Sequence, residues 1–160
     1  MENIYNILAN QTNPYKDFIF SKDLYAYDEK SEWSPAKKLN VIIVPHSHND
    51  PGWLMTFEEY FEKRTKHILN TVVEALSEKE TRTFIWAEIS YLSLWWQQAN
   101  QTMRAKMRRL IVDTKQLEIV TGGWVMTDEA NTHYYAMIEQ MIEGHEWLRT
   151  NIDERIAPVH

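Results

Sequence analysis

Residues 41–53 read VIIVPHSHNDPGW, an apolar run followed directly by histidines, an aspartate and a tryptophan. The four β-branched residues 41–44, stopped by Pro45, are typical of a fully buried strand. In sheets of parallel strands, ligands bind beyond the carboxyl ends of the strands. We therefore expect residues 46–53 to lie at a binding site.

The polar residues of this stretch have the spacing of a metal site. If the backbone stays extended, His46, His48 and Asp50 project to one side, because side chains alternate along a strand. Imidazole and carboxylate groups suit zinc or another divalent ion, although further ligands would have to come from elsewhere. After the following turn Trp53 would face the same mouth, where a sugar ring could stack on its indole. The alternative is structural: the histidines cap the strand end and bond to the backbone, and Asp50 begins a turn or a helix. The H-x-H-x-D spacing directly after an apolar strand favours the metal site.

The rest of the chain alternates apolar strands with amphipathic helices. Helices are predicted over 56–77, over 90–113 with a break near Asn100, and over 132–148, and further strands over 83–87, 117–120 and 156–159. Thr56 and Glu59 form a predicted capping box. This order indicates an α/β fold with a parallel sheet or barrel. The strands are too few to close a barrel, so we expect an incomplete one.

Composition narrows the possible functions. The chain has 160 residues, of which 44% are hydrophobic and 25% charged, as in ordinary folded proteins. The net charge of -6 argues against binding to nucleic acid or to anionic membranes. The absence of cysteine excludes disulfides, thiol catalysis and cysteine-bound zinc. No apolar run reaches the roughly 20 residues of a membrane span, and no signal peptide is recognised. We therefore expect no membrane segment, signal or anchor in this chain.

Acidic residues follow the other predicted strands. Glu88 comes directly after the second strand, and Asp128 and Glu129 come after the third. Carboxylates on successive strand–helix loops could surround a single site. Each is explained as simply by the start of a helix, where the dipole favours negative charge. We favour that second interpretation for all three. Residues 1–40, which are polar and interrupted by prolines, are interpreted as an N-terminal extension.

Four blocks of the sequence, in order, resemble glycoside hydrolase family 38, the retaining α-mannosidases. They are VPHSHNDPGW (44–53), TKHIL (65–69), FIWAEISY (84–91) and QLEIVTGGWVM (116–126). The sequence of the first block resembles that of the Golgi α-mannosidase II branch of the family. The resemblance runs from about Leu39 to about Asn151 without a large gap.

The resemblance implies a (β/α)7-type barrel that holds one zinc ion, with residues 41–160 forming its first part. By this resemblance His48 and Asp50 are two of the four zinc ligands, and Trp53 is an aromatic residue of the sugar subsite. His46 lies beside them and is a candidate for orienting a ligand. The resemblance gives no catalytic role to the three acidic residues after the other strands.

The chain also departs from the family pattern. The family's nucleophile is the aspartate of an I-D-P-F-G-H block that is absent from this sequence, and we expect it just beyond His160. Retaining hydrolysis needs two carboxylates about 5–5.5 Å apart, so we assign no catalytic residue and expect the truncated chain alone to be inactive. Thr127 stands where the family has a proline.

The implied activity is hydrolysis of terminal α-linked mannose from N-glycans with retention, in the Golgi. The expected partner is a mannose-containing N-glycan. One alternative is a metal-dependent H-x-H hydrolase that acts on amides or phosphoesters through a metal-bound hydroxide. Another is a non-catalytic product, either glycan-binding or without function. The sequence motifs around Trp53 and residues 122–124, which resemble those of the family, argue against the H-x-H hydrolase.

Overall fold

The structure is a computed structural model that describes residues 41–158. The predicted extension, residues 1–40, and residues 159–160 lie outside that range. The helices are α1 (Phe57–Tyr60), α2 (Lys66–Glu78), α3 (Ile89–Gln98), α4 (Gln101–Arg108) and α5 (Tyr134–Asn151), and the strands are β1 (Phe84–Trp86) and β2 (Leu117–Ile119). Short π-helical segments follow α1 (Phe61–Thr65) and α4 (Arg109–Asp113). The contacts described below lie within one compact unit, Ile43–His160.

The predicted helices are present, and the predicted capping box and the predicted break near Asn100 are both confirmed. Before α1, the Thr56 hydroxyl accepts a hydrogen bond from the backbone N–H of Glu59 (3.3 Å). The Glu59 carboxylate accepts one from the Thr56 N–H (3.1 Å), which completes the capping box. The break near Asn100 is the start of α4, where the Asn100 side chain accepts from the N–H of Met103. The last helix runs over Tyr134–Asn151 rather than 132–148.

The described strands are parallel, as predicted, and two segments flank β1. On one side β1 pairs with β2, with Phe84 opposite Leu117 and Trp86 opposite Ile119. On the other side the Ile85 N–H donates to the Pro45 carbonyl (3.1 Å), within a parallel bridge between His46 and Ile85. Because all three segments run in the same direction, the residues that follow them meet at one edge of the sheet.

Two predicted strands are wrong over the residues described. Residues 41–44 form no strand, and their side chains are exposed rather than buried, from 51% for Val44 to 87% for Ile42. Among the described residues, the pairing of this segment with β1 is limited to the bridge at His46, so the strand pairing does not extend to residues 41–44. Residues 156–158 form no strand either, because the N–H of Ile156 donates to the Asp153 carbonyl in a turn after α5.

The core lies where the helices pack on the sheet. Its largest fully buried side chains include Trp86 of β1, Trp95 and Tyr91 of α3, and Leu69 of α2. Burial of one such side chain contributes about 2–3 kcal/mol to stability. At the carboxyl edge, α5 packs closely against the loop after β2, since a Cβ on Gly144 would lie 2.0 Å from the Gly122 carbonyl oxygen. Only glycine permits this approach, which fixes the loop that carries Asp128.

Candidate metal and sugar site

Three side chains that could hold a metal ion converge at the carboxyl edge of the sheet. His48 Nε2 lies 2.9 Å from a carboxylate oxygen of Asp50 and 3.3 Å from one of Asp128. One ligand atom from each of the three residues lies within 4.8 Å of the others. His48 and Asp50 follow the segment bridged to β1, whereas Asp128 comes from the loop after β2.

The spacing of these atoms fits a small divalent cation. Zinc with bonds of about 2.0–2.2 Å in a tetrahedron places its ligand atoms about 3.3 Å apart. The distance from His48 to Asp128 has this value, and that from His48 to Asp50, which are joined by a hydrogen bond, is shorter, at 2.9 Å. The side chains are 40% (His48), 35% (Asp50) and 25% (Asp128) exposed, so a ligand can reach them from solvent. One imidazole and two carboxylates form a donor set that zinc accepts.

The carboxylates also set the charge state of His48. Burial works to lower the pKa of His48, while the hydrogen bond and the charge of Asp50 work to raise it. The charges of Glu88 and Asp128 act in the same direction, so that the pKa of His48 is raised above its ordinary value of 6.5. The negative potential that raises the pKa of His48 is the same potential that attracts a cation.

Trp53 borders the same depression as these three residues. The chain turns at Gly52, which has a φ of +89° and donates its N–H to the Asp50 carbonyl (2.9 Å). The Trp53 side chain is 74% exposed, and it lines the depression together with His48, Asp50 and Asp128. An exposed indole beside polar ligands is a surface on which the apolar face of a sugar ring can stack. We call His48, Asp50, Trp53 and Asp128 the open face of the site.

Buried polar side chains support the loop from below. The backbone N–H of Asn49 donates to Glu88 Oε1 (3.0 Å), and the Thr65 hydroxyl donates to the Asn49 side-chain oxygen (3.1 Å). The Tyr91 hydroxyl donates to the Asp50 carbonyl (2.8 Å). Burial, followed by the negative charge of Glu88, raises the pKa of Tyr91 to about 12, so this hydroxyl keeps its proton at neutral pH. We call Asn49, Thr65, Glu88 and Tyr91 the underside of the site.

The family profile described as "Glycosyl hydrolases family 38 N-terminal domain" matches residues 38–159. The chain belongs to glycosyl hydrolase family 38. Its relatives include Alpha-mannosidase 2 of Homo sapiens (54% identical over 124 residues), Alpha-mannosidase 2 of Arabidopsis thaliana (53% over 121) and Alpha-mannosidase 2x of Mus musculus (52% over 122). These matches cover 76–78% of this chain and 10–11% of each relative. The chain therefore spans about a tenth of the length of the relatives it matches.

The family resemblance seen in the sequence is thus confirmed. Within this family 38 chain, the structure brings His48 and Asp50 together and places Trp53 beside them. His46 lies in the bridge to β1, is exposed, and among the described residues makes no hydrogen bond to His48 or Asp50. Its role in orienting a ligand stays a prediction. No helix among residues 41–158 is both long and apolar enough to span a membrane.

In this family 38 chain the positions of Asp128, Glu129 and Glu88 differ from the expectation that each carboxylate lies at the start of a helix. That interpretation is wrong for Asp128, which lies beside His48 in a turn where it accepts from the Ala130 N–H (2.9 Å), while His133 caps α5. Glu129 is exposed and lines the same depression. Glu88 does precede α3, but its side chain caps nothing there and bonds to Asn49 instead.

Sequence reasoning missed the underside residues Asn49, Thr65 and Tyr91. A signal for Asn49 was present, because alternation along an extended segment turns residue 49 away from the side that residues 48 and 50 share. Thr65 lies in the π-helical segment after α1, and Tyr91 lies in α3. Nothing in the sequence indicates that the hydroxyl group of either residue reaches the loop. Only the packing of α3 and the π-helical segment under the loop reveals them.

Proposed function

We propose that this chain forms the first part of the catalytic domain of a zinc-dependent, retaining α-mannosidase, built as a (β/α)7-type barrel. The observation that carries the proposal is the meeting of His48, Asp50 and Asp128 beside the exposed Trp53. Membership of family 38 and more than 50% identity to proteins named Alpha-mannosidase 2 support the same activity. The parallel pairing of β1 and β2 agrees with a barrel of this type.

His48 and Asp50 would hold the metal ion, with Asp128 as a third ligand. A bound zinc ion would supply a Lewis acid that fixes the orientation of sugar hydroxyls. Trp53 would stack against the apolar face of the same sugar and so set the position of its ring. The protein groups would thereby bind and orient a terminal mannose at the mouth of the barrel.

The bond-breaking step needs residues that we do not find in this chain. A retaining glycosidase uses one carboxylate as nucleophile and a second carboxyl as acid and then base. The family's nucleophilic aspartate lies in an I-D-P-F-G-H block, and the 160 residues do not contain one. We therefore propose that this chain binds metal and sugar weakly and does not hydrolyse mannosides by itself.

The proposed substrate is a mannose-containing N-glycan, processed in the Golgi. This proposal is supported by the similarity to relatives named Alpha-mannosidase 2 and by the sequence of the H-S-H-N-D-P-G-W block. The net charge of -6 and the acidic open face would repel polyanions such as nucleic acid, but not a neutral glycan.

A chimaera tests the proposal on this chain's own residues. The matching segment of human Alpha-mannosidase 2, 124 residues long in the comparison, would be replaced by the segment from this chain. With zinc present, the chimaera should hydrolyse a chromogenic α-mannoside. His48→Ala should remove that activity, whereas His67→Ala, at an exposed histidine on α2, should not.

The outcomes separate the proposal from its alternatives. A folded chimaera without activity, or an active His48→Ala chimaera, would contradict it. The 160-residue chain, assayed alone, should show no turnover of mannosides, amides or phosphoesters. Mannoside turnover by that chain would point to Glu88, Asp128 or Glu129 as the missing carboxylates, and amide or phosphoester turnover would support an H-x-H hydrolase.

A further inference from the structure

Glu88 is a buried carboxyl group that the proposed chemistry does not use. Its side chain has no exposed surface, and burial raises the pKa of Glu88 above its ordinary value. Oε1 accepts from the Asn49 N–H, while Oε2 has no hydrogen-bond partner among residues 41–158. Burying a carboxyl group costs stability unless its contacts compensate, so the contact that it makes with Asn49 is the place to look for a role.

Capping of α3 is not that role. Glu88 occupies the residue before α3, yet its side chain accepts no bond from the helix. The first N–H groups of the helix, those of Ile89 and Ser90, donate to the carbonyls of Gly123 (2.9 Å) and Trp124 (3.0 Å). The helix start is therefore satisfied by the loop after β2, and the carboxyl group is turned towards the metal-binding loop.

The atom that Glu88 contacts lies midway between the two proposed ligands. Asn49 separates His48 from Asp50, so a bond to the Asn49 N–H restrains the peptide that joins His48 to Asn49. Other hydrogen bonds hold the Asn49 side chain (from the Thr65 hydroxyl) and the Asp50 carbonyl (from the Tyr91 hydroxyl), whereas Glu88 holds the backbone N–H between the two proposed ligands. Upstream, one bridge at His46 ties the segment to β1, and residues 41–44 are exposed. Downstream, the chain turns at Gly52.

We propose that Glu88 is a positioning residue, which holds the Asn49 peptide so that His48 and Asp50 converge on one metal ion. The expected effect of Glu88 on zinc affinity rests on the proposed function, whereas its restraint of the Asn49 peptide does not. On this account the reach of the Glu88 side chain matters more than its charge. A hydrogen-bond acceptor at the same distance should serve the loop almost as well.

Two conservative variants separate reach from charge. Glu88→Gln keeps an oxygen within reach of the Asn49 N–H and removes the charge. Glu88→Asp keeps the charge but is shorter by one methylene, so its carboxylate no longer reaches that N–H. A matched control is Gln116→Asn, which shortens a buried side chain (5% exposed) whose amide bonds to the Leu76, Lys79 and Arg82 carbonyls.

Zinc affinity of the 160-residue chain would be measured by competition with a chromophoric chelator, alongside nitrogen-15 NMR of the same samples. Glu88→Asp should bind zinc about tenfold more weakly and should shift the signals of the Asn49 amide and the His48 ring. Glu88→Gln should stay close to the unchanged chain in both. Gln116→Asn should lose stability while keeping its zinc affinity and both sets of signals.

The opposite pattern would overturn the proposal. Unchanged affinity and unchanged Asn49 and His48 signals in Glu88→Asp would show that the loop does not depend on this contact. A loss of affinity in Glu88→Gln without a loss in Glu88→Asp would show that charge, not reach, is what matters, and equal losses in both variants would contradict a role that depends on reach alone. If the unchanged chain binds no zinc, the metal part of the proposed function fails, and the NMR signals alone decide whether Glu88 restrains the loop.

Discussion

The open face and the underside of the site share one loop, whose adjacent residues are alternately exposed to solvent and buried against the fold. His48 and Asp50 are partly exposed, whereas Asn49 between them is 8% exposed and its amide and side chain are hydrogen-bonded to buried groups. An extended backbone sends alternate side chains to opposite sides, so one short segment serves both the open face and the underside. The difference teaches that His48 and Asp50 are held in place from below, by buried contacts that lie away from the open face.

If this contrast is correct, changes on the underside should cost stability, and changes on the open face should cost binding. The largest effect is expected for Thr65→Val, because the side-chain oxygen of Asn49 then loses the hydroxyl that donates to it. Burying that oxygen without a partner should lower the free energy of unfolding by about 2 kcal/mol in chemical denaturation. Thr65→Ser is the control, since it keeps the hydroxyl and should lose much less. Equal losses in the two variants would show that the methyl group matters instead.

A smaller loss is expected for Tyr91→Phe, also on the underside. The ring and its contact with Phe57, with centroids 4.6 Å apart, remain in place, while the bond to the Asp50 carbonyl disappears. The expected cost is about 1 kcal/mol of unfolding free energy, measured by urea denaturation. Unchanged stability would mean that water replaces the hydroxyl without penalty, and that Tyr91 does not restrain the loop.

The next effect concerns pH and the open face. Because the pKa of His48 is raised in the folded state, its protonated form adds stability that is fully present below about pH 6.5. This contribution is lost as the pH rises through the higher folded-state value. With a chelator present to remove metal ions, the midpoint of urea unfolding should therefore fall slightly as the pH rises above about 6.5. In His48→Asn the contribution of His48 to this fall should be absent. A midpoint with the same pH dependence in both proteins would contradict the assignment.

The smallest effect on stability is expected for Trp53→Ala. The side chain is 74% exposed, so the free energy of unfolding should change by no more than about 0.5 kcal/mol. Binding of α-mannosides, followed by NMR on the zinc-loaded chain, should weaken markedly because the stacking surface is gone. Substantial destabilisation together with unchanged binding would place Trp53 in the core rather than in the site.

The sequence was sufficient for features set by local chemistry. The helix start at Thr56 follows from a side chain that satisfies a nearby N–H group, and the structure confirms it. The predicted break near Asn100 is also confirmed, and there the structure shows that the Asn100 side chain begins α4. The meeting of His48 and Asp50 follows from alternation along an extended segment. These predictions succeed because each depends on residues only a few positions apart.

Features that depend on distant parts of the chain were not predictable in the same way. Asp128 lies 80 residues after His48, and their meeting depends on the packing of α5 through Gly144 against the loop after β2. The exposure of residues 41–44 depends on which elements cover them, which their own apolar character does not specify. The sequence places Glu88 directly after a predicted strand, but only the fold shows that its side chain points to Asn49.

Zinc binding by the 160-residue chain, measured by competition with a chromophoric chelator, tests the central claim most directly. We predict that His48→Ala weakens the affinity at least about tenfold, while His67→Ala, at an exposed histidine on α2, leaves it unchanged. Equal zinc affinity in the unchanged chain and in His48→Ala would contradict the claim that this loop forms the metal-binding part of the site.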